Sequence, residues 1–122
     1  MRGAVEYLLG HYTQSLELPE LAERCGLSPK GLRGQFKRFM GITPMECLIR
    51  IRVEKAKRLL AGTNTPIKDI AVEVGFYDHS SLNRHFIRLA GMPPSIYRDQ
   101  KHAEILSKFG VLTEGAGARQ VV

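Results

Sequence analysis

The chain has 122 residues, with 18 Lys and Arg against 12 Asp and Glu, a formal net charge of +6 and a pI near 9.6. That length accommodates one domain, or two very small lobes sharing a connector, and the cationic excess suits a polyanionic partner. No run nears the roughly 18 apolar residues of a membrane span and no signal peptide opens the chain, so a cytoplasmic or nucleoid-associated protein is expected.

Gly3 to Tyr12 reads as a first helix, with Val5, Leu8, Leu9 and Tyr12 at helical spacing and His11 a polar neighbour at its end rather than a ligand. Leu18 to Cys25 is a short helix with Leu21, Ala22 and Cys25 inward, ended by Gly26. A longer helix follows, with Ser28 as N-cap, Pro29 at the first helical position and Gly41 closing it. At 100° per residue its apolar stripe is Leu32, Phe36 and Phe39, while Lys30, Arg33, Gly34 and Lys37 fan out on the other side.

Thr43-Pro44 then opens the longest helix, running to about Ala61. Its interior positions are Leu48, Ile49, Val53, Ala56 and Leu60, and Arg50, Arg52, Lys55, Lys57 and Arg58 are expected to make the remaining surface strongly basic. Gly62-Thr63-Asn64 breaks the chain before a second short helix, Pro66 to Val74, the corner at Gly75, and a helix from the cap Asp78 to Ala90. In this helix Leu82, Phe86 and Leu89 face in; Ser80, Asn83, Arg84 and Ile87 face out, with His79 at the rim. Met92-Pro93-Pro94 starts a last short helix expected to end near His102, and the final ten or so residues read as disordered.

The two halves repeat each other. Leu21/Ile70, Ala22/Ala71, Gly26/Gly75 and Leu27/Phe76 match at an offset of 49, and Leu32/Leu82, Phe36/Phe86, Arg38/Arg88, Gly41/Gly91 and Pro44/Pro94 at an offset of 50, so the second copy carries one extra turn residue. A short helix, a turn holding Gly and a second helix is the helix-turn-helix pattern, whose second helix enters a DNA groove. Charge is distributed to match. Arg24, Lys30, Arg33, Lys37 and Arg38 face no acid anywhere between Arg24 and Met45, nor do Arg84, Arg88 and Arg98 between His79 and Arg98.

Catalytic chemistry has no foothold here. The acids are scattered, with no Ser-His-Asp grouping, phosphate-binding loop or metal box, and His79 and His85 project differently; no enzyme activity, metal or cofactor is expected. Cys25 and Cys47 are read as reduced, buried and structural. The rival to DNA binding is a helical protein-interaction module without nucleic acid, against which the acid-free stretches speak.

The phrases LAERCGLSPKGLRGQFKRFMGITPMECL and IKDIAVEVGFYDHSSLNRHFIRLAGMPPSIYR, flanking the long helix, resemble the DNA-binding domain of the AraC/XylS family of bacterial transcription regulators over about residues 3–98. The resemblance implies an all-α fold of about seven helices in two homeodomain-like helix-turn-helix subdomains. On this basis residues 1–102 form the DNA-binding domain, with subdomains of about 3–42 and 65–102, a linker helix at 43–61, and a partly disordered tail at 103–122. It implies double-stranded DNA at a promoter as partner, assistance to RNA polymerase, and a small-molecule effector acting only through a domain outside this chain, which would be the C-terminal part of a longer regulator. The positions matching base-facing family positions are Lys30, Gly31, Arg33 and Gly34, then His79, Ser80, Asn83 and Arg84.

Chemistry sorts these residues into roles. Arg84 and Arg33 suit guanine, Asn83 suits adenine, and Ser80, His79 and Lys30 can meet bases or phosphates. Lys37 and Arg88, with Thr43 and Ser81 near helix N-termini, suit phosphates, which set register without reading sequence. Two departures from the family stand out: Gly34 replaces a long polar side chain, and Ile87 replaces a common Lys.

Overall fold

The computed structural model describes residues 1–110, and over them the chain is all-helical. In order come α1 (Arg2–His11), α2 (Leu18–Arg24), α3 (Pro29–Met40), α4 (Pro44–Gly62), α5 (Ile67–Glu73), α6 (His79–Ala90) and α7 (Pro94–Lys108). The expected tail disorder falls on residues 111–122, outside the described residues.

The internal repeat is written into the helix ends. Ser28 Oγ accepts the Gly31 N–H at 3.0 Å, and at the equivalent place Asp78 Oδ1 accepts the Ser81 N–H at 2.9 Å. Each cap satisfies an N–H that the first turn of a helix leaves without a backbone partner. Both helices then run 12 residues and stop at a glycine in the left-handed region, Gly41 and Gly91, each at φ 82°. A proline opens the next helix in both copies, Pro44 for α4 and Pro94 for α7.

Two apolar cores share α4. Ala4 and Leu8 of α1, Leu21 and Ala22 of α2, and Leu32 and Phe36 of α3 bury against Cys47 and Leu48 in the first half of α4. Ile70, Ala71, Val74, Phe76, Leu82 and Phe86 bury against Val53, Ala56 and Leu60 in its second half. Burying one such side chain is worth about 1.5 to 3 kcal/mol, so removing α4 would strip each small lobe of much of its stabilisation. Tyr12, just past α1, packs against both cores.

The packing departs from the sequence expectations at Phe39, at Leu9, at Cys25 and at the end of α7. Phe39 was expected inside and is 68% exposed, because α3 docks through Leu32 and Phe36 and its last turn projects beyond the first core. In α1, Leu9 is exposed and the small Ala4 is buried instead, since Ala4 and Leu8 lie one turn apart on the stripe that meets α4. Cys47 is buried as expected but Cys25, at the end of α2, is only half-buried; both thiols are free. Finally, α7 continues to Lys108 rather than ending near His102. Ile105, Leu106 and Phe109 stay exposed, so its last turns rest on strong helix formers such as Ala103, Glu104 and Leu106 rather than on burial.

Candidate nucleic-acid interface

Both longer helices of the two motifs, α3 and α6, bury one stripe and present the opposite one to solvent. On α3 the inward pair is Leu32 and Phe36, and Lys30, Arg33, Gly34 and Lys37 are exposed. On α6 the inward pair is Leu82 and Phe86; His79, Ser80 and Arg84 are exposed, while Asn83 and Ser81 are half-buried. Gly31 is half-buried near the N-cap, with space for a Cβ only 3.1 Å from Ser28 Oγ. Gly34 opens on empty space.

The cations of these faces are electrostatically available. Among the described residues the ion pairs are Arg2–Glu6, Arg50–Glu46, Lys57–Glu54, Arg88–Glu46 and Lys101–Glu104, and none involves Lys30, Arg33, Lys37 or Arg84. The long helix is different from what its sequence suggests. Arg50 is paired with Glu46 at 3.0 Å, Lys57 lies 3.6 Å from Glu54, Lys55 stands over the Tyr12 ring, and Arg52 turns inward to carbonyl oxygens. The expected basic surface of α4 is therefore largely engaged within the molecule, and the open positive charge concentrates on α3 and α6.

Arg88 is placed unlike the other candidates. Its Nη1 donates to Glu46 Oε2 at 3.0 Å and its Nη2 to Glu46 Oε1 at 3.2 Å, a two-pronged pair that ties the end of α6 to the first turn of α4. The hydrogen bond from Arg88, against the opposing effect of burial, and a further one from Arg50 hold the Glu46 carboxyl below the usual carboxylate range. His85 lies 3.2 Å from Arg88 Nη2 and stacks on Phe76; burial and the neighbouring Arg84 and Arg88 push its pKa down, favouring the neutral ring. Thr43 Oγ1 accepts the Glu46 N–H at 3.2 Å, which occupies it as a cap while leaving its hydroxyl proton free to donate.

One exposed side chain was missed by the sequence reading. Tyr77 is 90% exposed at the corner before α6. It is the extra residue of the second copy, where the offset changes from 49 at Leu27/Phe76 to 50 at Ser28/Asp78, so the break in register was the signal that marked it.

Comparison with known proteins agrees with this geometry. Residues 21–100 match the helix-turn-helix domain family. A solved structure of a probable AraC family transcriptional regulator from Rhodopseudomonas palustris superimposes with a TM-score of 0.75 at 25% identity, covering 82% of this chain and 94% of that one. The chain belongs to the AraC/XylS family. Another similar structure is the DNA-binding domain of AdpA in complex with a target DNA, with a TM-score of 0.80, 29% identity, and 84% and 93% of the two chains covered. Among curated family members, the bifunctional transcriptional activator/DNA repair enzyme AdaA of Bacillus subtilis is 34% identical over 99 residues, 81% of this chain and 47% of that protein. The chain spans less than half the length of the curated relatives it matches. Among the described residues there is no cluster able to hold a metal ion, and no helix is long and apolar enough to cross a membrane.

Proposed function

We propose that the chain binds a two-part site on double-stranded DNA, with α3 and α6 in neighbouring segments of the major groove, as the DNA-binding part of a longer bacterial transcription regulator. The observation that carries this reading is the pair of exposed, acid-free helix faces mounted on one rod, in a fold similar to one seen bound to DNA. At 1.5 Å per residue the 19 residues of α4 span about 28 Å, comparable with the ~34 Å repeat of B-DNA.

Arg84 is assigned to guanine O6 and N7, Asn83 to adenine, and Ser80 and His79 to base edges or phosphates of the same segment. Arg33 and Lys30 read the other segment, where Gly34 brings only backbone to the groove. Lys37, Thr43 and Ser81 hold phosphates. Arg88 does so only in competition with Glu46, its partner in the free protein. Ile87, 42% exposed on the same helix, is suited to a thymine methyl group. Tyr77, beside the α6 N-terminus, is placed to meet sugar and phosphate. Contact with RNA polymerase, a place on the nucleoid, and control by an effector bound elsewhere in a longer protein complete the proposal.

Selection of bound duplexes from a random pool tests it. The wild type should enrich one motif with two halves; Arg84→Ala should relax preference at one base-pair position, and Lys37→Ala should weaken all sequences alike. Enrichment of no motif, or an unchanged motif with Arg84→Ala, would refute the assignment.

A further inference from the structure

Arg52 lies in the middle of α4, half-buried and, among the described residues, in no ion pair with a carboxylate. Its Nε donates to Tyr12 O and its Nη2 to Gln14 O, both at 2.8 Å. Tyr12 is the C-cap of α1, where a helix leaves acceptors unpaired and carries partial negative charge, and Gln14 lies in the turn that follows, which accounts for a cation held there without an acid. Burial pushes the Arg52 pKa down, but a guanidinium remains protonated in any such site.

The second lobe contains a counterpart. At an offset of 50 from Arg52 is His102, whose Nε2 lies 3.1 Å from Leu60 O near the end of α4, and Arg98 donates to the same oxygen at 3.2 Å. In each repeat, then, the last helix grips the carbonyl end of the helix preceding the motif. The two grips differ in what lies next to them. The Arg52 guanidinium stands 5.9 Å from the Phe76 ring centre, and a Cβ added to Gly75 would fall 2.4 Å from Tyr12 O and 2.7 Å from Arg52 Nε. Gly26, at the equivalent corner of the first motif, has the same left-handed backbone but nothing within 4 Å. Gly75 is thus required for close approach as well as for its φ of 103°, and what it approaches is the end of α1, in the other lobe, and the shared α4. Tyr12, packed against both cores, lies in the same seam.

We infer that Arg52 and Gly75 form an inter-lobe seam that fixes the pose of α6 relative to α3, making Arg52 a positioning residue that determines which separation between the two halves of a DNA site the protein accepts. Arg52 acts without touching a base: it is turned into the seam, and its effect reaches DNA through the relative placement of the two recognition helices. The DNA consequence rests on the function proposed above; the seam itself does not.

The experiment therefore has two arms, using the full chain as wild type, Arg52→Met and Arg52→Lys. Methionine keeps an unbranched apolar stem over Phe76 and removes both donors, while lysine keeps the charge and one donor direction. In the first arm, backbone residual dipolar couplings are measured without DNA. One alignment tensor should fit both lobes of the wild type, and separate tensors should be needed for Arg52→Met. A single shared, unchanged tensor in Arg52→Met would overturn the seam whatever the protein binds.

In the second arm, the probe is the duplex selected by the wild type, intact or with one base pair inserted between its halves. Insertion should cost the wild type on the order of tenfold in affinity, the equivalent of about one lost base contact, and Arg52→Met less than about threefold, with Arg52→Lys between. Duplexes holding a single half should bind all three proteins about equally. An identical insertion penalty in all three proteins would refute the role of Arg52 in spacing. If the wild type binds no duplex, the functional reading fails alone and the first arm still decides the seam. Should Arg52→Met not fold, the lysine variant carries both arms, with an intermediate shift expected and no shift overturning the inference.

Discussion

Two glycines inside the first recognition helix provide a test of whether the local geometry described for α3 exists in solution. Gly34 lies mid-helix on the exposed face with a Cβ position clear of any atom within 4 Å, and its backbone is not in the left-handed region. Replacing a helix-interior Gly by Ala gains about 0.8 to 1.0 kcal/mol, from restriction of the unfolded chain and better helix propensity. For a domain of this size that corresponds to roughly 4 °C or more in Tm. Gly31 has the same propensity deficit, but its Cβ would sit 3.1 Å from Ser28 Oγ, the atom that accepts Gly31's own N–H. Displacing that hydroxyl weakens a cap worth about 1 kcal/mol, which offsets the gain. Thermal unfolding followed by circular dichroism should therefore show Gly34→Ala clearly stabilised and Gly31→Ala close to wild type. Equal stabilisation by both, or none from Gly34→Ala, would refute the capped geometry of α3 and with it the assignment of its two faces.

Phe86→Ala should cost about 3 to 5 kcal/mol in urea unfolding, whereas Phe39→Ala, on the exposed last turn of α3, should change stability by less than about 0.5 kcal/mol. The Glu46 carboxyl titrates below its ordinary value of 4.5 because Arg88 and Arg50 bond its charged form, so its contribution is complete above that value and is lost as pH falls through the lowered pKa. Glu46→Gln should accordingly be less stable than wild type at neutral pH, by up to about 1 kcal/mol as expected for a solvent-facing pair, and the gap should close as pH falls below 4.5 and through the lowered pKa. In DNA binding, about six phosphate contacts predict roughly a thousandfold loss of affinity between 50 and 200 mM salt, and Lys37→Ala should reduce the logarithmic salt slope by about 1; a salt-independent affinity would favour a protein-interaction module instead.

What could be read from the sequence was what is decided locally. Ser28, Asp78 and Gly41 announce caps and a stop within four residues of themselves, the structure finds all three in those roles, and Gly91, the repeat partner of Gly41, ends α6 in the same way. Phe36 and Phe86 were legible as core because each lies at the centre of its stripe. Phe39 and Leu89 occupy matching positions of the two copies, yet Leu89 packs against the second core while Phe39 is exposed. Periodicity states which side of a helix is inward but not how far its neighbour extends. The middle of α4, with Arg50, Val53, Glu54 and Lys57, passes beside Leu89, whereas Phe39 is 68% exposed.

The same limit explains why the long helix was misjudged as a basic surface. A count of Arg50, Arg52, Lys55, Lys57 and Arg58 treats each cation as solvated; Arg50 and Lys57 have acids three or four residues away on the same helix, but the partners of Arg52 and Lys55 are long-range facts, Tyr12 and Gln14 lying about forty residues from them. A duplicated chain makes the point sharply, because its two halves share local signals and differ only where one copy leans on the other. Gly26 and Gly75 read identically in sequence, as corner glycines of equivalent motifs. Only the second carries the neighbouring lobe against its Cα, so Gly26→Ala should cost the strain of its left-handed backbone alone, and Gly75→Ala that strain together with displacement of Tyr12 and Arg52. The difference in unfolding free energy between these two variants measures how strongly one lobe holds the other in place.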